Sequence, residues 1–203
     1  MSYTIMGFPR TRAIRVMWLL EELGQSYDID PAMPASDEAK AVNPTGKVPA
    51  LIDNGHVIPD SVAICTYLAD KHGGCTHPAG TVERALQDSF TQFCVDEVEG
   101  ALWTHAKHTF VLPEELRVEA PKQTAAKEFA RAMDRLEARL GDGPFVTGET
   151  FTVPDLLLAH CSSWARMLPQ WPIESERLNS YFKSLIKRPA YIRTQERAAK
   201  YTA

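Results

Sequence analysis

The chain predicts a small α/β domain followed by an all-helical one, because two different residue patterns divide it. Up to about residue 75, short apolar runs of strand length alternate with helical periodicity in the order β-α-β-α-β-β-α. From about residue 81 onward there is no comparable strand pattern. Residues 75–80, after the helix-ending Gly73-Gly74, read as the linker, so the expected domains are 1–75 and 81–203.

Each element has its own signal. Residues 3–6 suit a short strand, and Gly7-Phe8-Pro9-Arg10 a turn. Ala13, Val16, Met17, Leu20 and Leu23 then share one helix face, with Gly24 placed to stop it. Residues 27–29 form a second strand, Pro31 and Pro34 hold a loop, and 36–42 make a short helix. Ala50-Leu51-Ile52 and Val57-Ile58 flank Asp53-Asn54-Gly55, a hairpin signal. Ser61 opens a helix that runs through Lys71. In the second half, Thr81 is placed to cap a long helix from Val82 toward Phe110, and Pro113 and Pro121 interrupt the chain after it. Phe129, Met133, Leu136 and Leu140 mark another helix face, closed by Gly141. Thr152-Val153-Pro154-Asp155 has capping-box character: Thr at the cap, Pro just inside, an acid three residues on. Leu156, Leu157, His160, Cys161 and Trp164 form the inward face of the next helix. Leu178, Tyr181, Phe182, Leu185 and Ile186 form that of a last one, ending before Pro189.

Composition narrows the class. With 203 residues, 44% hydrophobic and 24% charged, the chain is long enough for real cores and ordinary for a globular protein. A net charge of −4 argues against a nucleic-acid partner. No segment is long and apolar enough to span a membrane, and the start lacks the basic and apolar regions of a signal peptide. Cysteines 65, 75, 94 and 161 have no CxxC spacing, so they read as reduced thiols, mostly core fillers, in a cytoplasmic protein. His105 and His108 have no clear third ligand, and no metal site is expected.

The most informative stretch is Asn43-Pro44-Thr45-Gly46-Lys47-Val48-Pro49-Ala50-Leu51, followed by Asp60-Ser61. Pro49 lacks the N–H a ladder needs, so it belongs at the first residue of a strand or in a turn. With a cis Val48–Pro49 bond, Val48 turns its N–H and C=O away from the sheet toward a peptide ligand, which can pair with them as an added strand. A trans bond at an ordinary strand edge is the alternative.

This layout resembles the cytosolic glutathione S-transferase family over nearly the whole chain. The segments that carry the resemblance are Asn43 to Leu51 with Asp60-Ser61-Val62-Ala63-Ile64, the first helix from Thr11 to Gly24, and Gly148 to Asp155. The resemblance implies a thioredoxin-like N-terminal domain that binds glutathione as co-substrate, a helical C-terminal domain that contributes the electrophile pocket, and a homodimer. It places the glycine carboxylate of glutathione at Lys47, the cysteinyl unit on Val48 beside Pro49, the γ-glutamyl ammonium at Asp60 and the γ-glutamyl carboxylate at Ser61. Glu or Gln is more usual than Asp60 in the family. The elementary chemistry agrees: an anionic tripeptide suits a lysine, an exposed strand edge and a helix N-terminus. Taken alone, Lys47 reads as a solvated charge and Asp60-Ser61 as a helix cap.

The family's task is to stabilise a thiolate. Lowering a thiol pKa by about 2 units requires roughly 2.7 kcal/mol of preferential thiolate stabilisation. Tyrosine-type members carry Tyr near position 6 and cysteine-type members carry Cys near the first helix; this chain has Met6-Gly7-Phe8 and no cysteine before Cys65. Thr11 remains, where similar sequences have Ser followed by Arg. Its hydroxyl either contacts the sulfur or caps the helix, leaving backbone N–H groups to hold a thiolate. The role of Arg12 is open, and Arg15 reads as a water-facing partner of Glu21 or Glu22. Trp103 and His108 on the long helix, with Phe8 and Trp164, are the expected pocket for the electrophilic small molecule; domain core and surface are the alternative roles. A non-catalytic binding or regulatory module and a glutathione-dependent peroxidase or isomerase are the competing functions.

Overall fold

A four-stranded sheet in the order β2-β1-β3-β4 organises the first part of the chain. The computed structural model describes residues 3–168 and 171–201. β1 (Tyr3–Met6) pairs parallel with β2 (Tyr27–Asp30) and antiparallel with β3 (Ala50–Asp53), which pairs antiparallel with β4 (His56–Pro59). The parallel neighbour requires a crossover, supplied by α1 (Ile14–Glu22), whereas β3 and β4 need only a tight turn. Asn54 and Gly55 make that turn at φ 50° and 82°, the left-handed pair that a two-residue hairpin demands. The short α2 (Asp37–Val42) starts where Ser36 accepts the Ala39 N–H at 3.2 Å. α3 (Ser61–His72) packs on α1. Ile5, Val16, Met17, Leu19, Leu20, Leu51, Ile64 and Leu68 are fully buried in this unit.

The buried Asp53 carboxylate links β3 to α3. It accepts hydrogen bonds from Lys71 Nζ and from the Tyr67 hydroxyl, the latter at 2.6 Å. These two donors hold its carboxyl below the usual carboxylate range, against the opposing effect of burial. A depressed carboxyl contributes stability above its unfolded pKa and loses it as pH falls through the folded one. Urea titrations below about pH 4 should therefore show falling stability in the native protein and a flatter acid limb in Asp53→Asn. Equal acid limbs would remove Asp53 from the account.

By contact, Ile186–Ala203 groups with Met1–Ala79, and Gly80–Leu185 forms the second unit. The cause is a helix that the sequence reading did not include. Pro189 is more than a stop: it opens α9 (Pro189–Ala198) from the first-turn position where its missing N–H costs nothing. The Glu22 carboxylate takes Arg188 Nε at 2.6 Å and Nη2 at 2.8 Å, and Glu21 takes Arg193 Nε at 2.8 Å. Trp18 meets Tyr191 edge to face with centroids 4.8 Å apart, and the Arg197 guanidinium lies 3.8 Å from the Tyr27 ring centroid. Arg15 is not the water-facing partner of Glu21 or Glu22 that the sequence suggested: it is 1% exposed, on the side of α1 turned to α3.

In the second unit α4 (Val82–Phe93) continues through Cys94–Glu99 into α5 (Gly100–Ala106) and on to Val111. Thr81 caps it, accepting the Arg84 N–H at 3.2 Å. The stretches Cys94–Glu99 and Lys107–Val111 are wider π-type turns, so the long helix is not uniform. α6 (Glu119–Arg139) contains Pro121 in its first turn, where proline starts a helix rather than interrupting it. α7 (Val153–Ala165) and α8 (Glu176–Leu185) complete the unit. Leu156, Leu157, Leu158 and Cys161 are fully buried in α7. None of the four cysteines is in a disulfide; Cys94 and Cys161 face each other with sulfurs 3.9 Å apart. Among the described residues no helix is long and apolar enough to cross a membrane.

Candidate glutathione site

Three backbone features lie at one end of the strands of the first unit's sheet, where Met6, Ala50 and Pro59 are in register. The first is the end of β1. Gly7 has φ 144° and donates its N–H to Asp30 O at 2.8 Å. A Cβ placed there would lie 3.1 Å from Val48 Cβ, 3.3 Å from Ala13 Cβ and 3.5 Å from Pro49 Cα. The absence of a side chain at Gly7 therefore lets the start of α1 and the Val48–Pro49 segment approach each other.

The second feature is that segment. The Val48–Pro49 peptide is cis. Among the described residues no protein group pairs with the Val48 N–H or C=O. The loop before it is held by Asn43, 7% exposed, whose Oδ1 accepts from the Thr45 hydroxyl at 3.0 Å and whose Nδ2 donates to Lys47 O at 2.9 Å. Lys47 is exposed, and its ammonium has no ion pair among the described residues.

The third feature is the start of α3. Asp60 adopts φ 76°, ψ 124°, a backbone conformation that L-residues rarely take and that concentrates at functional sites. Its Oδ1 caps the helix by accepting the Val62 and Ala63 N–H groups at 2.9 and 3.0 Å. Oδ2 has no protein donor among the described residues, so capping leaves half the carboxylate open. Ser61 is 2% exposed, and its Oγ accepts from Arg15 Nη1 at 3.3 Å.

Thr11 sits where α1 begins. Its φ −106° and ψ −167° are extended. The hydroxyl donates to Phe8 O at 2.7 Å and accepts the Ala13 N–H at 3.2 Å, so it acts as a cap here. The Phe8 carbonyl also takes the Thr11 N–H at 3.0 Å. Phe8 is only 6% exposed, so little of its ring is open to solvent.

The other three candidates lie in the second unit. Trp103, His108 and Trp164 are half-buried. His108 Nδ1 accepts the Val118 N–H at 3.1 Å, tying the end of the long helix to the chain that leads into α6. His105, one turn earlier, packs edge-on against Trp171 at 5.2 Å, and Phe129 lies 5.2 Å from the same ring. Burial, with the Lys122 ammonium adding to it, pushes the His105 pKa below its usual value, so that ring is neutral at pH 7. The sequence reading did not single out Gly7 or Trp171, gave Asn43 no separate role, and misplaced Arg15. Only Asn43 announced itself, through the turn-forming Asn-Pro-Thr-Gly run.

Comparison with known proteins agrees with this architecture. A family model described as "Glutathione S-transferase, N-terminal domain" matches residues 7–76, and one described as "Glutathione S-transferase, C-terminal domain" matches 94–184. A glutathione S-transferase 1 of Schizosaccharomyces pombe is 29% identical over 92% of this chain and 91% of its own. A glutathione S-transferase 1 of Triticum aestivum is 26% identical over 92% and 90%. Among solved structures, a glutathione transferase from Methylococcus capsulatus superposes with a TM-score of 0.81 at 27% identity, covering 98% of this chain and 100% of that one. A theta class glutathione S-transferase from Xanthomonas axonopodis pv. citri, solved with glutathione bound, gives 0.79 at 28% identity over 95% and 96%. With a thioredoxin-like sheet domain, a helical domain and both family models matched in order, this chain belongs to the glutathione S-transferase family.

Proposed function

We propose that this protein is a glutathione transferase that binds glutathione in its first unit, stabilises the thiolate and transfers an electrophilic alkyl or aryl group to the sulfur. The observation that carries the reading is the unpaired Val48 backbone beside Pro49, flanked by Lys47 and by the start of α3. An extended peptide gains two main-chain hydrogen bonds there without disturbing the sheet. The Lys47 ammonium suits the glycine carboxylate, Asp60 Oδ2 the γ-glutamyl ammonium, and the Ser61 hydroxyl with the α3 N-terminus the γ-glutamyl carboxylate. Within the second unit the electrophile is assigned to the half-buried rings of Trp103, His108 and Trp164, an aromatic, mildly basic set that suits a flat, polarised substrate. A homodimer working in the cytoplasm belongs to the same proposal.

Thr11 is the catalytic candidate. The N-terminus of α1 favours an anion, and the Thr11 hydroxyl can donate to a sulfur by turning from Phe8 O. Ultraviolet difference titration with glutathione near pH 7 tests this by following the thiolate band. Saturable growth of the band is expected, retained in Thr11→Ser and reduced about ten-fold in Thr11→Ala, with a loss of about 1 kcal/mol in helix-cap stability for the latter. A band unchanged in Thr11→Ala moves the donor to backbone N–H groups or Arg12. No saturable binding at all sinks the site formed by Lys47, Val48, Pro49, Asp60 and Ser61. The Thr11–Phe8 hydrogen bond, which engages the hydroxyl proton, favours one second reading, a binding module that holds glutathione as the neutral thiol. Saturable binding without the band is its signature.

A further inference from the structure

Arg15 is the bulkiest fully buried side chain among the described residues. It leaves α1 and meets the first residue of α3, where Nη1 lies 3.3 Å from Ser61 Oγ. A guanidinium offers only donors. Ser61 Oγ must therefore accept, and its single proton points away from Arg15. The Ser61 N–H is one of the orphan first-turn donors of α3, with no protein acceptor among the described residues; its neighbours at Val62 and Ala63 are taken by Asp60. Two donors of one residue, the hydroxyl and the amide, are thus left for an acceptor outside the protein. The positive end of the α3 dipole and a buried cation stand behind them. The field of Arg15 reaches further along α3. Burial pushes the Cys65 thiol up to about 12, and Arg15 is the first influence opposing that rise.

We propose that Arg15 is a positioning residue that fixes the Ser61 hydroxyl as a donor and makes the start of α3 selective for the carboxylate of the γ-glutamyl group. This rests on the reading of Ser61 as the site of that carboxylate. The consequence is discrimination: an otherwise identical tripeptide without that carboxylate gains nothing from Arg15.

Calorimetric titration with two ligands tests it. One is glutathione; the other is its analogue with 4-aminobutyrate in place of the γ-glutamyl residue, which keeps the amine and lacks the carboxylate. In Arg15→Gln the affinity for glutathione is expected to fall about ten-fold, while that for the analogue changes less than about two-fold. A merely structural role would weaken both ligands together, and that result, or undiminished glutathione binding, overturns the proposal. Ser61→Ala separates the two levels. If it lowers glutathione affinity selectively while Arg15→Gln does not, the role of Arg15 fails and the Ser61 site stands. If Ser61→Ala leaves glutathione affinity unchanged, both fall. Should Arg15→Gln fail to fold, Arg15→Lys is read by the same ratio. A compact ammonium loses the guanidinium reach, so a selective loss of about three-fold supports the proposal and none overturns it.

Discussion

Replacing Asp155 by Ala should destabilise the helical unit by about 3–5 kcal/mol, the largest stability loss expected from a polar substitution in this chain. Asp155 is fully buried at the start of α7. Its Oδ1 accepts the Val146 N–H at 2.9 Å and the Tyr181 hydroxyl at 2.8 Å. Its Oδ2 accepts the Thr152 N–H at 2.8 Å and the Thr152 hydroxyl at 2.9 Å. One carboxylate thus joins the incoming loop, the helix cap and α8, and alanine leaves four buried donors without their acceptor. Asp155→Asn keeps one acceptor oxygen but turns an amide toward donors, so it should lose at least about 2 kcal/mol. Urea denaturation followed by circular dichroism measures both. The pH dependence has the opposite sign to that of Asp53. Burial outweighs the four donors and raises the Asp155 carboxyl above its ordinary range, so the folded chain holds that proton more tightly than the unfolded one. The stability this proton confers declines as pH rises through the folded value. The gap between native protein and Asp155→Ala should therefore widen as pH is lowered from about 7 toward 5. A gap that closes on acidification would contradict this account of the group.

Gly7→Ala should cost about 2–3 kcal/mol and lower glutathione affinity about ten-fold. Two effects coincide. An L-residue at φ 144° is strained whatever the space around it, and the added methyl meets Val48 Cβ at 3.1 Å and Ala13 Cβ at 3.3 Å. Relief requires Val48 or the first turn of α1 to move, and these are the two segments proposed to hold the cysteinyl unit and its sulfur. Thermal melting paired with glutathione calorimetry separates strain from site damage. A destabilised protein with native affinity would show that the segment absorbs the methyl without losing its geometry.

The elements with local chemistry were legible in the sequence. Asn54-Gly55 announced the hairpin, Thr81 and Thr152 their helices, and the Lys47-Val48-Pro49 run a strand start with an exposed backbone. What sequence reasoning missed depends on contacts between distant residues. An arginine on an amphipathic helix, with two glutamates nearby, reads as solvent-facing; only the packing of α3 on α1 shows that position 15 points inward. Those glutamates are instead taken by arginines at 188 and 193, far along the chain. Pro189 carries the same local signal whether it stops one helix or opens the next, and the space beside α1 decides between them. For Thr11 the residue type was legible, but the carbonyl that competes for its proton was not.

The return of α9 to α1 bears on the order in which the protein is made. The unit that carries the proposed glutathione site is not one continuous stretch of chain: it closes only when the arginines at 188 and 193 reach Glu22 and Glu21, and Tyr191 covers Trp18. Chains emerge from the ribosome N-terminus first and fold largely in that order. Here one flank of α1 stays uncovered while the whole helical unit, which lies between α1 and α9 in the chain, is synthesised. The helical unit, whose residues are contiguous, is available to fold before the sheet unit is complete. The unit proposed to bind glutathione therefore closes only after the helical unit has been synthesised, although the residues proposed for its site precede that unit in the chain.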